Sequence, residues 1–271
     1  MRANEYPLTL SDTERARYQL MAEEARANEA ELWRAAGIVA GAHVADVGCG
    51  PGALLPAWAD AVGPSGLVVG VDADPGAVAA ARALVAASGL KRVSVRQGPA
   101  DHTGLPAAAF DTVVLRHVLA HNGRREDAIV AHLATLLHPG GSLYLVDADV
   151  TAFRIVPEDP ELADLNGRYL AFQTARGNDM RAGLRLRERI QRAGLDLVEY
   201  RGSYVIRPVP QGLRGPAWAA REALVAGGVA TEQDLNRWDL AFQRLDAHPT
   251  RPTLFAPVFV AIGRSGSADT S

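Results

Sequence analysis

The chain has a single cysteine, Cys49, a single lysine, Lys91, and only 6% aromatic residues. One thiol excludes an internal disulfide and a cysteine-based zinc site. No apolar run reaches 18 residues, so no membrane partner is expected. The opening stretch MRANEYPLTLSDTERARYQ lacks the apolar core of a signal peptide, which makes a cytoplasmic protein the simplest expectation. Strong charge of one sign is also missing: the net charge is −3, which does not favour nucleic acid or an anionic surface. The densest basic stretch, RAGLRLRERIQR (181–192), could contact phosphates. It reads more simply as a helix with a solvated face and with Leu184, Ile190 and Leu195 turned inward.

What is present is 271 residues, 48% of them apolar, enough for a sizeable core in one domain with insertions. Residues 11–36 read as a helix, with Ser11 and Glu14 fitting a capping box and Gly37 as its stop. Strands and helices then alternate. Strands are expected at 43–47, 66–72, 92–96, 110–116 and 142–148, with helices near 52–62, after the Asp74–Pro75 cap, and at 124–137. Continuous apolar strands separated by helices imply a parallel sheet covered on both faces. A helix at 183–193 and a strand at 195–206 resume the pattern, followed by helices at 217–226 and 231–246. The last strand is 253–263, where Pro257 favours an edge or a strand end. The expected organisation is an N-terminal helical lid (1–37) and an α/β domain (38–263). Its inserts are a cap at 149–180 and a helical segment at 207–250, and a disordered tail (264–271) follows.

The stretch VADVGCGPGA (44–53) places glycines between a strand and a helix, where backbone N–H groups face a ligand at the carboxyl ends of the strands. Glycine spacing alone also satisfies a dinucleotide pattern through Gly48, Gly50 and Ala53. Asp46 discriminates. A pyrophosphate on this loop would meet its carboxylate, and one like-charge pair at about 4 Å costs roughly 4 kcal/mol at an effective dielectric near 20. A ligand carrying an ammonium and a sulfonium, S-adenosylmethionine, reverses that sign. Asp46 could instead tie down N–H groups of its own turn. Asp72, ending the second strand, can accept both hydroxyls of a ribose in either kind of cofactor.

With VADVGCGPG (44–52), VVGVDADP (68–75), QGPADHTGLPAAAFDTVVLRHVLAH (97–121) and LLHPGGSLYLVD (136–147), the chain resembles the class I S-adenosylmethionine-dependent methyltransferases. The similarity is to the small-molecule branch related to quinone biosynthesis. The resemblance implies a Rossmann-like, seven-stranded, mostly parallel sheet with an antiparallel last strand. It implies that Asp46, Gly48 and Gly50 line the methionine moiety, that Asp72 holds the ribose with Ala73 beside the adenine, and that Arg116 offers its backbone carbonyl. The family often has Gly-Asp-Ala where this chain has Gly98-Pro99-Ala100. Proline has no N–H to donate. Ala100 is left as the donor to the adenine, and Asp101 replaces the missing carboxylate.

Methyl transfer needs a nucleophile aligned with the methyl group and water excluded. RHVLAH places His117 and His121 just past the fourth strand, and an imidazole titrating near its usual value of about 6.5 suits a base at neutral pH. Relatives with a histidine at the position of His121 make it the first candidate, and either ring could instead only fill the wall. The spacing also resembles a metal pair, but no third ligand is near, and no metal is expected. Tyr6, Tyr18 and Met21 are candidate lid residues. Tyr169, Phe172 and Trp218 are candidate acceptor-pocket residues or core. The expected activity is methylation of a small molecule in secondary metabolism, on oxygen in preference to nitrogen or carbon, by a monomer or homodimer. The alternatives are a protein of this fold that binds the cofactor but cyclises, rearranges or merely binds, and a dinucleotide oxidoreductase.

Overall fold

The computed structural model describes residues 12–266. Tyr6, Ser11 of the expected capping box, and residues 267–271 of the expected tail lie outside them. The first helix is not continuous. It divides into α1 (Asp12–Asn28) and α2 (Ala30–Ala35), because the carboxylate of Glu29 at the junction is drawn inward to the sheet. Gly37, at φ 85°, ends α2 as its position predicts.

Five strands follow, β1 (His43–Val47), β2 (Leu67–Asp72), β3 (Val93–Gln97), β4 (Phe110–Arg116) and β5 (Leu137–Ala148). They pair in parallel in the order β3-β2-β1-β4-β5. Their side chains alternate between two cores. Val44 and Val114 pack with Leu55 and Trp58, whereas Ala45, Val47, Val113 and Leu115 pack with Ile129, Leu133 and Ile190. Helices α3 (Leu55–Val62), α4 (Pro75–Ala87) and α5 (Glu126–Thr135) cover the faces. Asp74 accepts a hydrogen bond from the Ala77 N–H at 2.7 Å and Pro75 opens α4, the expected cap. The strand order reverses between β1 and β4, and a crevice opens there at the carboxyl ends of the strands.

The remaining strands are antiparallel to their neighbour. β6 (Arg154–Val156) and β7 (Asp196–Pro208) both pair with β8 (Thr253–Arg264), which also pairs with β5. The sheet thus has eight strands rather than seven, since the three-residue β6 continues the edge of β8 that β5 leaves. β8 is interior, not an edge. The Pro257 carbonyl accepts from Asp149 N–H at 3.3 Å, so its nitrogen faces the gap between β5 and β6, and the ladder to β7 is not interrupted.

Two expected inserts share one core. α6 (Pro160–Ala175) packs against α8 (Pro216–Ala219), α9 (Arg221–Ala226) and α10 (Glu232–Ala247), and Leu165, Tyr169, Phe172, Trp238 and Phe242 are buried between them. Thr231 and Asp234 form a reciprocal capping box at the start of α10. The expected 183–193 helix is a 3-10 turn (Ala182–Arg185) followed by α7 (Leu186–Arg192). Leu184 is exposed, and Leu186 takes the inward position with Ile190 and Leu195. Arg189 is buried rather than solvated because Asp127 pairs with it at 2.6 Å. No helix among the described residues is long and apolar enough to cross a membrane.

Candidate active site

The glycine loop leaves β1 in left-handed conformations. Gly48 has φ 73°, and a Cβ there would lie 2.3 Å from Val118 Cγ2. Gly50 has φ 55° and lies under the Tyr18 ring, with a Cβ position 3.2 Å from Tyr18 Cε1. The loop is therefore clamped between the segment after β4 and α1. Gly50 N–H donates to Asp72 Oδ2 at 2.8 Å, and Asp74 N–H donates to Asp72 Oδ1 at 2.9 Å. The backbone-tying role open to Asp46 thus falls to Asp72.

Asp46 is buried and accepts from the indole Nε1 of the fully buried Trp58 at 2.9 Å. Burial pushes its pKa up to about 6, against the lowering effects of the Trp58 hydrogen bond and the Arg116 charge. A neighbouring cation would favour its ionised form, and a phosphate would oppose it. The guanidinium of Arg116 is committed elsewhere. It pairs with both carboxylate oxygens of Glu29, which also accepts from Tyr144 OH at 2.5 Å. Sequence reasoning named neither Glu29 nor Trp58. Both contacts span many residues in sequence and leave no local signal.

Both histidines face the same cavity as the glycine loop. His117 has φ 55°, a conformation in which few side chains other than glycine, asparagine, aspartate and histidine are common, and its N–H donates to the Val146 carbonyl at 2.8 Å. His121 ends a 3-10 turn (Leu119–His121) and His117 lies before it, so the two are not carried on one α-helix. Burial, with the Arg116 and Arg17 charges, pushes His117 down to about 3; burial and Arg17 push His121 down to about 4. Both rings are neutral at pH 7. Asp147, also unremarked in the sequence, lines the cavity and accepts from Ala120 N–H at 3.2 Å, which braces the turn carrying His121. Its position at the end of an apolar strand is the signal that could have found it. Among the described residues no group of three or more His, Cys, Asp or Glu could hold a metal ion.

The cavity has a volume of about 1100 Å³. Asp46, Gly48, Gly50, Asp72, Ala73, Pro99, Ala100 and Arg116 all line it, as do Tyr18 and Met21 of α1. Asp101 does not. Its carboxylate pairs with Arg125 at 3.1 Å, so the replacement of the missing adenine contact by Asp101 is not supported by the structure. Tyr169 and Phe172 are likewise absent from the lining and belong to the core of the helical cap. Trp218 stands edge-on to Phe242 there, with ring centroids 5.2 Å apart. Apolar side chains of Phe153, Tyr204, Ile206, Leu213 and Val258 line the cavity instead. The buried carboxylate of Asp46 beside the glycine loop suits a ligand group bearing positive charge better than a diphosphate, whereas Asp72 suits a ribose in either case.

Residues 44–141 match the family described as "Methyltransferase domain". Among curated proteins, a nocamycin O-methyltransferase of Saccharothrix syringae is 42% identical over 105 residues, 39% of this chain and 37% of that protein. The match therefore spans little more than a third of that relative's length. A ubiquinone biosynthesis O-methyltransferase of Xanthomonas euvesicatoria is 31% identical over 60% of this chain and 66% of its own. Among solved structures, a SAM-dependent methyltransferase from Aquifex aeolicus has a TM-score of 0.50 at 19% identity, over 73% of this chain and 92% of that one, a likeness of fold.

Proposed function

Proceeding from a chain whose residues 44–141 belong to the methyltransferase-domain family, we propose that the protein transfers a methyl group from S-adenosylmethionine to an oxygen of a small molecule. The observation that carries this reading is the pair of carboxylates, Asp46 and Asp72, flanking the clamped glycine loop in one large cavity. Both relatives named above are O-methyltransferases, which favours oxygen as the acceptor atom.

When bound, S-adenosylmethionine supplies a methyl group on a positively charged sulfur. Asp46, Gly48 and Gly50 surround its methionine end, the carboxylate balancing the cation. Asp72 retains lone pairs for ribose hydroxyls after accepting two backbone N–H groups. Ala73, Pro99 and Ala100 flank the adenine. Tyr18 and Met21 close over the loop from α1 and exclude water. His121, braced through Asp147, and His117, aimed by its left-handed backbone, orient the acceptor. A neutral hydroxyl would pass its proton to His121.

Asp46→Ala is expected to weaken S-adenosylmethionine binding tenfold or more, on the order of 1.4 kcal/mol, by calorimetry. Unchanged affinity would remove Asp46 from the site. His121→Ala is expected to lower kcat more than it alters cofactor affinity. Because both histidines are neutral well above pH 5, neither is expected to give kcat an inflection near the usual histidine value, and the loss due to His121 should come as it titrates toward about 4. An inflection near pH 6.5 that His121→Ala abolishes would contradict this. The activity itself is tested by incubating the protein and S-adenosylmethionine with candidate acceptors and looking for products heavier by one CH₂ unit. S-adenosylmethionine binding with no such product across acceptors would favour cyclisation, rearrangement or simple binding instead.

A further inference from the structure

The two edges of the sheet differ. β3 closes one with 5 residues, whereas β7 runs for 13 along the other and pairs with β8 alone. A long open edge is a template for a further strand. The direction of its backbone groups follows from Pro257, whose carbonyl accepts from Asp149 N–H on the side away from β7. Tyr204, the residue opposite Pro257, therefore directs its own N–H and C=O away from β8. Alternation sends those of Gly202 and Ile206 the same way, while Val209 N–H donates inward to the Pro252 carbonyl at 2.8 Å. No described strand pairs with this outer edge.

The edge has built-in limits. Val198 is an extra residue between Leu197 and Glu199 at one end, and Pro208, which has no N–H, stands at the other. Between them residues 199–207 form an uninterrupted ladder with Ser203 at its middle. On one face of it Tyr204 and Ile206 are 59% and 60% exposed, a large share for such side chains. Glu199, Arg201 and Arg207 lie on the other. Glu199 and Arg201 make only a half-exposed contact at 3.3 Å, and Arg207 pairs with Glu24 of α1.

From this arrangement we propose that β7 pairs antiparallel with β7 of a second copy of the chain, about a two-fold axis at Ser203, joining two sheets into one. In that register Glu199 stands opposite the partner's Arg207, Tyr200 opposite the partner's Ile206, and Gly202 opposite the partner's Tyr204. Each contact occurs twice, as an isologous interface requires. Gly202 has no room for a side chain, since a Cβ would lie 2.7 Å from Phe259 Cε1, and the partner's Tyr204 covers the gap that it leaves. An axis one residue further on, at Tyr204, would set Arg201 against the partner's Arg207, so like charge opposes the neighbouring register. This self-complementary charge favours a second copy over an unrelated strand. Residues 201 and 203–207 also line the cavity, so the partner strand extends its wall. The proposal goes beyond the methyl-transfer reading and does not depend on it.

The test is sedimentation equilibrium on the full chain across the micromolar range, with circular dichroism to show that each variant is folded. The wild type is expected to be a dimer. Glu199→Arg and Arg207→Glu should each weaken it tenfold or more, because each sets like charges in opposition. Mixing the two variants should restore a dimer with one copy of each, since every opposed pair then has opposite sign. Tyr204→Pro, whose nitrogen would face the open edge, should abolish the dimer without breaking the ladder to β8. A monomeric wild type, a dimer that Glu199→Arg or Tyr204→Pro leaves intact, or two folded charge variants that stay apart on mixing would overturn the proposal. If Arg207→Glu unfolds because of Glu24, Glu199→Arg and Tyr204→Pro decide alone.

Discussion

Glu29→Ala is expected to destabilise the protein by about 3–5 kcal/mol, the usual cost of removing one partner from a buried ion pair. The side chains of Arg116 and Glu29 are 9% and 13% exposed, so solvent screens the pair little. Removing the carboxylate strands the Arg116 guanidinium and deprives the Tyr144 hydroxyl of its acceptor. At a few degrees per kcal/mol for a chain of this size, the unfolding temperature should fall by roughly 10 °C. Thermal unfolding followed by circular dichroism measures it. A fall of a degree or less would mean that the pair contributes nothing net. The same variant should weaken cofactor binding, because the freed guanidinium would stand near Asp46 and partly cancel its charge. Glu29→Gln, which keeps an acceptor but not the charge, should fall between the two.

The second large effect is expected at Gly48. Alanine there must adopt φ 73° and place its Cβ 2.3 Å from Val118 Cγ2. Left-handed strain and overpacking together cost about 2–4 kcal/mol. The loop would shift, and S-adenosylhomocysteine affinity should drop tenfold or more. Two causes can be separated by a second substitution. Val118→Ala in the Gly48→Ala background removes the collision but not the backbone strain, so it should restore part of the stability. No restoration would place the whole effect in the backbone, and full restoration would place it in the collision.

The sheet was legible because its chemistry is local. β1, β2 and β4 are short apolar runs ended by glycine or a charged residue, and Asp74–Pro75 and Thr231 carry their helix starts in two to four residues. β6 was not, since three residues beside a proline show no period. Nor was the break in the first helix, whose cause is a carboxylate answering groups on strands far along the chain. In the site, the glycine loop, Asp46 and Asp72 were readable from spacing. Tyr169 and Phe172 stayed open between an acceptor pocket and the core, because they lie on one helix and nothing local shows whether its apolar face meets a cavity or other helices. They meet α8–α10. The cavity lining includes Tyr204 and Ile206 of an edge strand, whose exposure depends on what packs above it. Likewise an imidazole's basicity follows from burial and nearby arginines, neither of which a spacing of four residues encodes.

On the proposed function, Asp46 near the end of β1 selects a cationic nucleoside over a diphosphate. Paired calorimetric titrations with S-adenosylmethionine and NAD, on the wild-type protein and on Asp46→Asn, test it most directly. The wild type is expected to bind S-adenosylmethionine and not NAD, with the gap narrowing by tenfold or more in the variant as the repulsion is lifted. NAD binding to the wild type as tightly as S-adenosylmethionine, or a gap that Asp46→Asn leaves unchanged, would contradict it.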